Sequence, residues 1–257
     1  MKETSAILKV ENLSKRFGGF EAVSGLSFSL VSDKIIGLVG PNGAGKTTTF
    51  NLISGFLKPN EGNVVFQGQD ITGLAPSEIA RKGLVRTFQL NKLFSNLSVE
   101  ENIRIGCHLY EKGGMRRFLF GSRRVEEDEY TERVNQIINF IGLRKLTSKL
   151  AADLPYGAQK LLSIGVAVGT APSLLMLDEP FAGMNETETA QCAELLRKIF
   201  NSGTGIFLVD HNMRAIREIC DHVLVLNFGK KIAEGSPEEV EKNEDVITCY
   251  LGRRKNC

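Results

Sequence analysis

A glycine-rich segment between an apolar run and a helical pattern constrains the fold of this chain more than any other feature. Residues 40–47 read Gly-Pro-Asn-Gly-Ala-Gly-Lys-Thr and match the pattern G-x-x-x-x-G-K-[ST]. The apolar residues 35–39 before this segment predict a buried strand, and the residues after it predict a helix that ends near Gly55. Strand, loop and helix in this order are the context in which the pattern binds phosphate, so we interpret it as a phosphate loop.

The residue types of this loop suit a polyphosphate with a divalent cation. Gly43 and Gly45 allow the backbone to curl, so that successive N–H groups and the start of the helix point at an anion. Lys46 adds a positive charge for the terminal phosphates, and the Thr47 hydroxyl suits Mg²⁺. The predicted nucleotide-binding residues of the loop are Gly40, Pro41, Asn42, Gly43, Ala44, Gly45, Lys46, Thr47 and Thr48.

Two further apolar runs, residues 174–177 and 205–209, are each followed directly by polar residues. Parallel strands bring their carboxyl ends to one edge of a sheet, where such folds place their sites. We therefore expect Asp178 to hold the Mg²⁺ shell and Glu179 to orient and polarise a water for attack on the γ-phosphate. His211 follows the other run, and its placement favours a sensor of the γ-phosphate; a satisfied surface histidine is the alternative.

Two weaker candidates lie elsewhere in the chain. Phe17 falls at the edge of an antiparallel β unit predicted from residues 7–13 and 24–30. Taken alone, this residue is more typical of a core aromatic, and a ring that stacks on adenine is the alternative. Gln89 ends a candidate strand over residues 84–89. A glutamine at a strand end usually only caps or solvates it, so Gln89 carries little information by itself.

The middle of the chain predicts a helical insertion. Residues 98–101 form a capping box, and apolar residues recur at helical spacing further on, at Val134, Ile137, Ile138 and Ile141. Basic and then acidic residues between 116 and 129 are interpreted as solvated helix faces, with contact to lipid headgroups or a partner as the alternative. Near the end of the chain, residues 236–239 form another capping box.

Composition excludes few functions. A net charge of +2 over 257 residues argues against a nucleic-acid binder. The uncharged run 161–177 is interrupted by glycine and proline, so we expect a buried helix, a turn and a strand instead of a membrane span. No signal peptide is recognised, and we expect a cytoplasmic protein with free thiols. The five cysteines are Cys107, Cys192, Cys220, Cys249 and Cys257.

With these segments in order, the chain resembles the ATP-binding subunit of an ABC transporter over nearly its whole length. The phosphate loop, Gln89, a helical insertion, the signature-like residues 154–160, Asp178-Glu179 and His211 occur in the family's order. The resemblance implies a P-loop NTPase (RecA-like) α/β core with an N-terminal antiparallel β subdomain and an inserted α-helical subdomain. The expected division of this single domain is 1–90 with 161–235 for the β subdomain and core, 91–160 for the helical subdomain with the signature, and 236–257 for a C-terminal helical tail.

The family likeness also implies roles, cofactors and partners. It assigns Phe17 to adenine stacking, Gln89 to catalysis and to the metal beside Thr47 and Asp178, and His211 to the switch histidine. Tyr156 and Gly157 would meet the nucleotide of a second ATP-binding subunit, the same chain or a paralogue. The expected ligands are ATP and Mg²⁺. The expected partners are permease subunits at the inner face of the membrane and, indirectly, a solute-binding protein.

Within the family, the likeness is to importers of branched-chain amino acids and related polar solutes. Tyr156 and residues 182–185, 236–239 and 250–252 match or nearly match motifs of that branch. The resemblance therefore implies an ATP-hydrolysing subunit that drives uptake of such solutes. An ATPase of another transporter or of a soluble assembly machine is the alternative.

The signature departs from the family pattern. Pro155, which has neither a hydroxyl nor a backbone N–H, replaces a serine; Ala158 replaces a glutamine, and Val166 an arginine. Gly157 and the start of the following helix still offer backbone donors. These changes leave open a slow or non-hydrolysing regulatory subunit gated by nucleotide.

Overall fold

Two β-sheets surround the phosphate loop in the computed structural model, which describes residues 6–87, 93–108 and 123–251. The four-stranded sheet is antiparallel, with the order β2-β1-β4-β5. Its strands are β1 (Ala6–Phe17), β2 (Phe20–Val31), β4 (Glu61–Phe66) and β5 (Gln69–Asp70). The antiparallel pairing of the strands predicted over 7–13 and 24–30 is confirmed, and both strands continue to a hairpin in which Phe17 pairs with Phe20 and Gly18 has a φ of +59°. This sheet is the predicted antiparallel unit, extended by the strands that follow the first helix.

The six-stranded sheet has the order β10-β9-β3-β8-β7-β6, and only its edge strand β10 runs antiparallel to its neighbour. Its strands are β3 (Ile35–Val39), β6 (Leu84–Arg86), β7 (Leu174–Asp178), β8 (Gly205–Val209), β9 (His222–Asn227) and β10 (Lys230–Gly235). Strands β3, β7 and β8 are buried along their length and contain no polar side chain except Asp178 at the end of β7, as expected for strands with both faces covered. In β3, Ile35 and Val39 pack with the helices, whereas Ile36 and Leu38 pack towards the antiparallel sheet.

Most helices cover the other face of the six-stranded sheet or build the inserted region, whereas the first two pack on the side of the antiparallel sheet. Their bounds are α1 (Lys46–Ile53), α2 (Pro76–Arg81), α3 (Val99–His108), α4 (Arg123–Phe140), α5 (Tyr156–Gly169), α6 (Glu186–Asn201), α7 (Met213–Ile219), α8 (Pro237–Glu241) and α9 (Glu244–Leu251). Two short 3₁₀ helices span Arg144–Leu146 and Ala151–Asp153.

The helical insertion is confirmed, but its expected end falls inside a helix. The apolar set at 134, 137, 138 and 141 is buried, and Ser98 and Glu101 bond each other's backbone N–H in the predicted capping box. Helix α5 runs on past residue 160 to Gly169, and its glycines allow close packing: a Cβ on Gly165 would lie 2.6 Å from Ile141 Cδ1, and one on Gly169 would lie 3.0 Å from the Cys107 backbone nitrogen. The division at 160/161 therefore cuts α5, and the division of the chain into subdomains stays a prediction.

Three further local predictions are confirmed, while residues 88–89 of the strand predicted over 84–89 and residues 116–122 of the charged stretch lie outside the described residues. Residues 161–177 form the end of α5, a turn and β7, and none of the helices in the described ranges is long and apolar enough to cross a membrane. The capping box at Ser236 begins α8, with Glu239 accepting from the Ser236 N–H at 2.7 Å. Cys107, Cys192, Cys220 and Cys249 are free thiols, and Cys257 lies outside the described residues.

Candidate nucleotide-binding site

Three parallel strands bring the predicted site residues to one edge of the sheet. Strand β8 lies between β3 and β7, and Val209 pairs with Leu38 on one side and Asp178 on the other. The residues that follow these strands are Gly40, Glu179 and Asp210. The expectation that the phosphate loop and the carboxylates meet at this edge is therefore confirmed.

The backbone of the phosphate loop requires glycine at two positions. Gly40 has a φ of +150°, and a Cβ there would lie 2.2 Å from the Leu226 carbonyl oxygen. Gly45 has a φ of +102°, and a Cβ there would lie 2.6 Å from the Ala22 carbonyl oxygen. Since those neighbours are backbone atoms that cannot move aside, a side chain at either position would displace the loop.

The start of α1 is arranged to receive an anion. No side chain in the described part of the chain caps this helix, whose N-cap residue Gly45 is left-handed. Its first N–H groups therefore lack the oxygen that usually satisfies them, and a phosphate supplies such an oxygen. This arrangement fits the polyphosphate that the sequence predicts.

Lys46 lies across the mouth of the loop. Its Nζ donates to the carbonyl oxygens of Gly40, at 2.6 Å, and Pro41, at 3.0 Å. Partial burial lowers the pKa of Lys46, and the negative charge of Glu179 opposes that shift. Two neutral carbonyl groups thus hold the ammonium near the loop. A bound phosphate can take their place, because a charged acceptor bonds an ammonium more strongly than a neutral one.

Asp178 and Glu179 follow one another but lie in different environments. The Asp178 side chain is 8% exposed and forms an ion pair with Arg86, whereas the Glu179 side chain is 24% exposed. Glu179 has a left-handed φ of +49°; its N–H donates to the Val209 carbonyl at 2.8 Å, and its carbonyl accepts from Lys160 Nζ at 3.2 Å. These two hydrogen bonds fix the Glu179 backbone at the point where the chain leaves β7.

His211 lies beside Glu179 without a hydrogen bond to it. The His211 Nδ1 atom is 3.8 Å from Glu179 Oε1 and 3.9 Å from Asp210 Oδ1. Asp210 is buried, and its carboxylate accepts from the N–H groups of Phe181, at 3.1 Å, and Asn212, at 2.8 Å. Asp210 therefore fixes the backbone on both sides of the site, while the imidazole remains exposed.

Phe17 is not a core residue. Its side chain is 47% exposed, so the core aromatic that this residue alone favoured is wrong. Lys15 Nζ lies 5.4 Å from the centre of the ring, and the strand opposite, β2, reaches the phosphate loop at Ala22. The ring is thus available to stack on a ligand. The second weak candidate, Gln89, lies outside the described residues.

The signature residues contact the segment that follows Glu179. Pro155 is the N-cap of α5 and supplies no side-chain cap. The Tyr156 ring packs against Gly183, where a Cβ would lie 2.7 Å from it, and a Cβ on Gly157 would lie 2.5 Å from Glu188 Oε1. The close neighbours of Tyr156 and Gly157 thus belong to residues 183–188 of the same chain.

Sequence reasoning missed three residues that contact the site. Arg86 pairs with Asp178 at 2.7 Å, and Lys160 contacts Glu179. Burial lowers the pKa of Lys160, against the fields of Cys192 and of the nearby carboxylates. Burial raises the pKa of Tyr250, and a hydrogen bond with the Gly40 backbone opposes that rise. A sequence signal exists for the first two residues: Arg86 is a single charge at the end of a strand, and Lys160 is a single charge in an apolar helix. A charge in such a position needs a buried partner.

The donor set also fits Mg²⁺. The Thr47 hydroxyl and the Asp178 carboxylate are oxygen ligands, and Mg²⁺ usually takes one or two of these together with substrate phosphates. Within residues 6–87, 93–108 and 123–251, no group of three or more His, Cys, Asp or Glu residues forms a separate metal site. A phosphate loop at the edge of a parallel sheet, with carboxylates at the neighbouring strand end, defines the class of P-loop nucleotide-binding proteins.

Comparison with known proteins places the chain within that class. The family model described as "ABC transporter" matches residues 23–182, and a model described as "Branched-chain amino acid ATP-binding cassette transporter" matches residues 230–256. The chain is 40% identical over 249 residues to the high-affinity branched-chain amino acid transport ATP-binding protein LivG of Escherichia coli K12, which covers 96% of this chain and 98% of LivG. It is 38% identical, with the same coverage, to BraF of Pseudomonas aeruginosa.

Solved structures agree with the sequence relatives. The crystal structure of a nucleotide-free ATP-binding cassette from an ABC transporter superposes with a TM-score of 0.84 at 32% identity, covering 96% of this chain and all of that one. The ADP conformation of an ATP-binding cassette has a TM-score of 0.85, covering 97% and all of the respective chains. The chain belongs to the ABC transporter family, as an ATP-binding cassette with the ATPase fold. The predicted family and fold class are both confirmed.

Proposed function

We propose that this chain hydrolyses MgATP to drive the uptake of branched-chain amino acids or related polar solutes through a separate membrane permease. The observation that supports the solute class most directly is the match of residues 230–256 to the C-terminal model of that transporter type. The printed names of LivG and BraF point to the same solutes over almost the whole chain.

The nucleotide is held from both ends. Phe17 stacks on the adenine, and the loop of residues 40–48 receives the phosphates through the N–H groups that follow Pro41 and through the Lys46 ammonium. The exposure of the Phe17 ring and the uncapped start of α1 support these roles. A stacked ring and a backbone cradle require little rearrangement on binding, because both are already in place.

Thr47, Asp178 and Gln89 are the proposed protein ligands of Mg²⁺, which when bound neutralises charge on the phosphates. Glu179 accepts a hydrogen bond from the attacking water and polarises it. His211, next to Glu179, donates to the γ-phosphate and so senses its presence. The 3.8 Å between His211 Nδ1 and Glu179 Oε1 supports a shared task for the two side chains at one end of the nucleotide.

Two kinds of protein partner complete the function. A second ATP-binding subunit meets the nucleotide through Tyr156 and Gly157, so that two ATP molecules are enclosed by a dimer. The permease receives Leu93, Phe94 and the start of α3, and it holds the chain at the cytoplasmic face of the membrane; a solute-binding protein acts indirectly. The 55% exposure of Phe94 supports its place in such a contact.

Purification with the membrane partner tests this proposal. The tagged chain, extracted from membranes with detergent, should bring permease subunits with it, identified by mass spectrometry. The reconstituted complex should take up labelled leucine when MgATP is supplied on the side of the ATPase. Recovery with a soluble assembly only, or ATP hydrolysis without uptake of any branched-chain amino acid, would contradict the proposed solute class.

A slow, nucleotide-gated subunit is a second candidate, favoured by one observation. Pro155 stands at the N-cap of α5 with no side-chain donor, where the family pattern has a serine. Loss of one preorganised donor typically costs ~3 to 4 kcal/mol of transition-state stabilisation. Turnover of the reconstituted complex distinguishes the candidates, since a regulatory subunit would hydrolyse much less than one ATP for each solute taken up.

A further inference from the structure

A buried arginine connects the carboxylate at the end of β7 to the helix that follows the phosphate loop. Arg86 Nη2 lies 2.7 Å from Asp178 Oδ2, and the side chains are 4% and 8% exposed. Arg86 Nη1 donates to Asn51 Oδ1 at 2.7 Å and to Ser54 Oγ at 3.0 Å. One guanidinium therefore joins three elements: β6, the Asp178 end of β7, and the α1 region.

The surroundings of the guanidinium leave it little freedom. Its central carbon lies 5.5 Å from the centre of the Phe50 ring and 5.8 Å from that of Phe56. Ser54 Oγ, which accepts from Arg86, itself donates to the Phe50 carbonyl oxygen. A planar fork with fixed donors, packed between rings, sets the direction of the carboxylate as a flexible ammonium would not.

We propose that Arg86 is the positioning residue of the Mg²⁺ site: it holds Asp178 through Oδ2 and ties it to α1, so that Oδ1 is presented at a fixed place relative to Thr47. The inference rests on the proposed function, in which Asp178 and Thr47 hold the metal. Thr47 lies in the first turn of α1, and Asn51 one turn further on. The Arg86–Asn51 bond thus fixes the carboxylate against the same helix that carries the hydroxyl.

The charge of Arg86 has a second effect on metal binding. The Arg86–Asp178 pair has almost no net charge, so a divalent cation without nucleotide gains little binding free energy from it. The phosphates of a bound nucleotide supply the missing negative charge. Mg²⁺ then binds with the nucleotide, onto a carboxylate already oriented for it, as outer hydrogen-bonding partners do at other metal sites.

The test compares ATP affinity in Mg²⁺ and in EDTA by calorimetry, for the wild type and Arg86→Lys. The lysine keeps the charge but cannot form the fork to three acceptors. We expect the gain in affinity that Mg²⁺ provides to fall about 10- to 100-fold, with the affinity in EDTA nearly unchanged. Mn²⁺ bound in the presence of ATP, measured by electron paramagnetic resonance, should fall in parallel.

The matched control is Arg197→Lys. Arg197 pairs with Asp221, whose carboxylate accepts from the Ile35 N–H at the end of β3 opposite to the phosphate loop. This control should leave the Mg²⁺ gain unchanged. If Arg86→Lys does not fold, Asn51→Ala removes one anchor of the guanidinium without touching the ion pair and should produce a smaller loss in the same direction.

The outcomes separate this inference from the proposed function. A wild-type protein whose ATP affinity does not depend on Mg²⁺ would overturn both. A normal Mg²⁺ gain in the wild type that Arg86→Lys and Asn51→Ala retain, even with a lower melting temperature, would overturn the positioning role alone, because a merely structural arginine changes stability without changing the metal dependence.

Discussion

Glu179 has a backbone conformation that residues with a side chain rarely adopt. Its φ of +49° costs of order 1–3 kcal/mol, which the surrounding structure must offset. The N–H bond to Val209 and the bond from Lys160 to its carbonyl oxygen do so from two sides. Lys160 belongs to the signature helix α5, so the orientation of the proposed catalytic carboxylate depends on the helix that would face a partner's nucleotide.

The roles of Lys46 and Phe17 predict different losses of ATP affinity. Lys46→Ala removes the charge at the phosphates, and we expect a loss of at least about 100-fold, or ~3 kcal/mol. Phe17→Ala removes one stacking face worth about 1 to 3 kcal/mol, which is a moderate loss. Calorimetric titration with MgATP measures both. Unchanged affinity in Lys46→Ala would contradict the site assignment.

Lys198→Ala and Phe140→Ala are the matched controls. Lys198 forms an exposed ion pair with Glu194 on α6, and Phe140 ends α4 with a partly exposed ring. Since neither side chain belongs to the proposed site, both variants should bind ATP as the wild type does. A loss in the controls equal to that in the site variants would mean that the change acts through the stability of the fold.

The buried thiol of Cys192 predicts a loss of stability at alkaline pH. Burial raises the pKa of Cys192 from its ordinary 9.0 to about 12. Above pH 9 the unfolded chain releases this proton while the folded chain keeps it, so the contribution is complete below pH 9 and is lost as pH rises towards 12. Between pH 8.5 and 10.5 this one thiol lowers the free energy of unfolding by about 2 kcal/mol.

Urea unfolding of wild type and Cys192→Ala at these two pH values measures that loss. The variant lacks the thiol, so its stability should fall by about 2 kcal/mol less over the same interval. Cys249→Ala, at a less buried thiol whose pKa is also raised, should change the pH dependence less. Equal pH dependence in wild type and Cys192→Ala would show that this thiol ionises in the folded state as readily as in the unfolded chain.

The residues that could be predicted from sequence are those whose chemistry is local. Lys46 and Glu179 each lie shortly after an apolar run whose end is visible in the sequence. The predicted strand end and the motif therefore locate each residue to within a few positions. Arg86 and Lys160 act across the fold: Asp178 is 92 residues beyond Arg86, and Glu179 is 19 beyond Lys160. A single sequence shows these charges but not their partners, because partner choice depends on how strands and helices assemble.

At the scale of elements, continuous apolar runs predicted β3, β7 and β8, since a strand covered on both faces has no polar side. The order of strands could not be predicted, because β6 pairs with β7 across a helical insertion. The start of α5 at Tyr156 agrees with the helix start expected near Gly157, but the expected boundary at residue 160 cuts this helix. Pro155 is the N-cap residue of this helix. Gly165 and Gly169 have low helix propensity, but they allow the close approach of Ile141 and α3.

The segment before α3, which we propose as the permease contact, has a fixed backbone and an exposed aromatic ring. Asn102, which is buried, accepts from the Phe94 N–H at 2.9 Å and donates to the Phe94 carbonyl at 3.1 Å. The backbone of this segment is therefore fixed, while the Phe94 ring is exposed. We expect Leu93→Ser with Phe94→Ser to retain ATP binding and to release the chain from membranes that contain the permease.

Membrane flotation followed by immunoblotting measures that release. Phe94→Ser alone should produce a partial effect, and it avoids Leu93, which packs partly against the helical core. Phe140→Ser, at a partly exposed ring on α4, is the control and should stay bound. Full membrane association of the double variant would exclude this segment as the permease contact.

At the scale of the whole molecule, the site is assembled from distant parts of the chain. The antiparallel sheet carries Phe17, the proposed stacking face, and the parallel sheet carries the loop and the carboxylates. Residues 245, 248 and 249 of α9 and residues 41–44 of the loop line one groove of about 650 Å³. The C-terminal region, whose family model names the transporter type, thus lies beside the phosphate loop.

The two-site dimer makes the last prediction. Glu179→Gln keeps a side chain of similar shape but loses the charge that polarises water, so ATP should bind while hydrolysis falls by at least about 100-fold. Trapped ATP should then hold two subunits together. Pro155 supplies no donor to the partner's γ-phosphate, so the dimer of this variant should be weak, and addition of Pro155→Ser should strengthen it by restoring a hydroxyl at the N-cap of α5.

Light scattering with MgATP distinguishes these cases by mass. We expect partial dimer for Glu179→Gln, more dimer for Glu179→Gln with Pro155→Ser, and monomer for both in EDTA. Glu179→Gln with Lys46→Ala is the control, since it cannot hold the nucleotide and should stay monomeric. If neither trapped variant dimerises, even beside the permease, while the wild type hydrolyses ATP, hydrolysis does not require two subunits to enclose the nucleotide, and Tyr156 and Gly157 have no part in it.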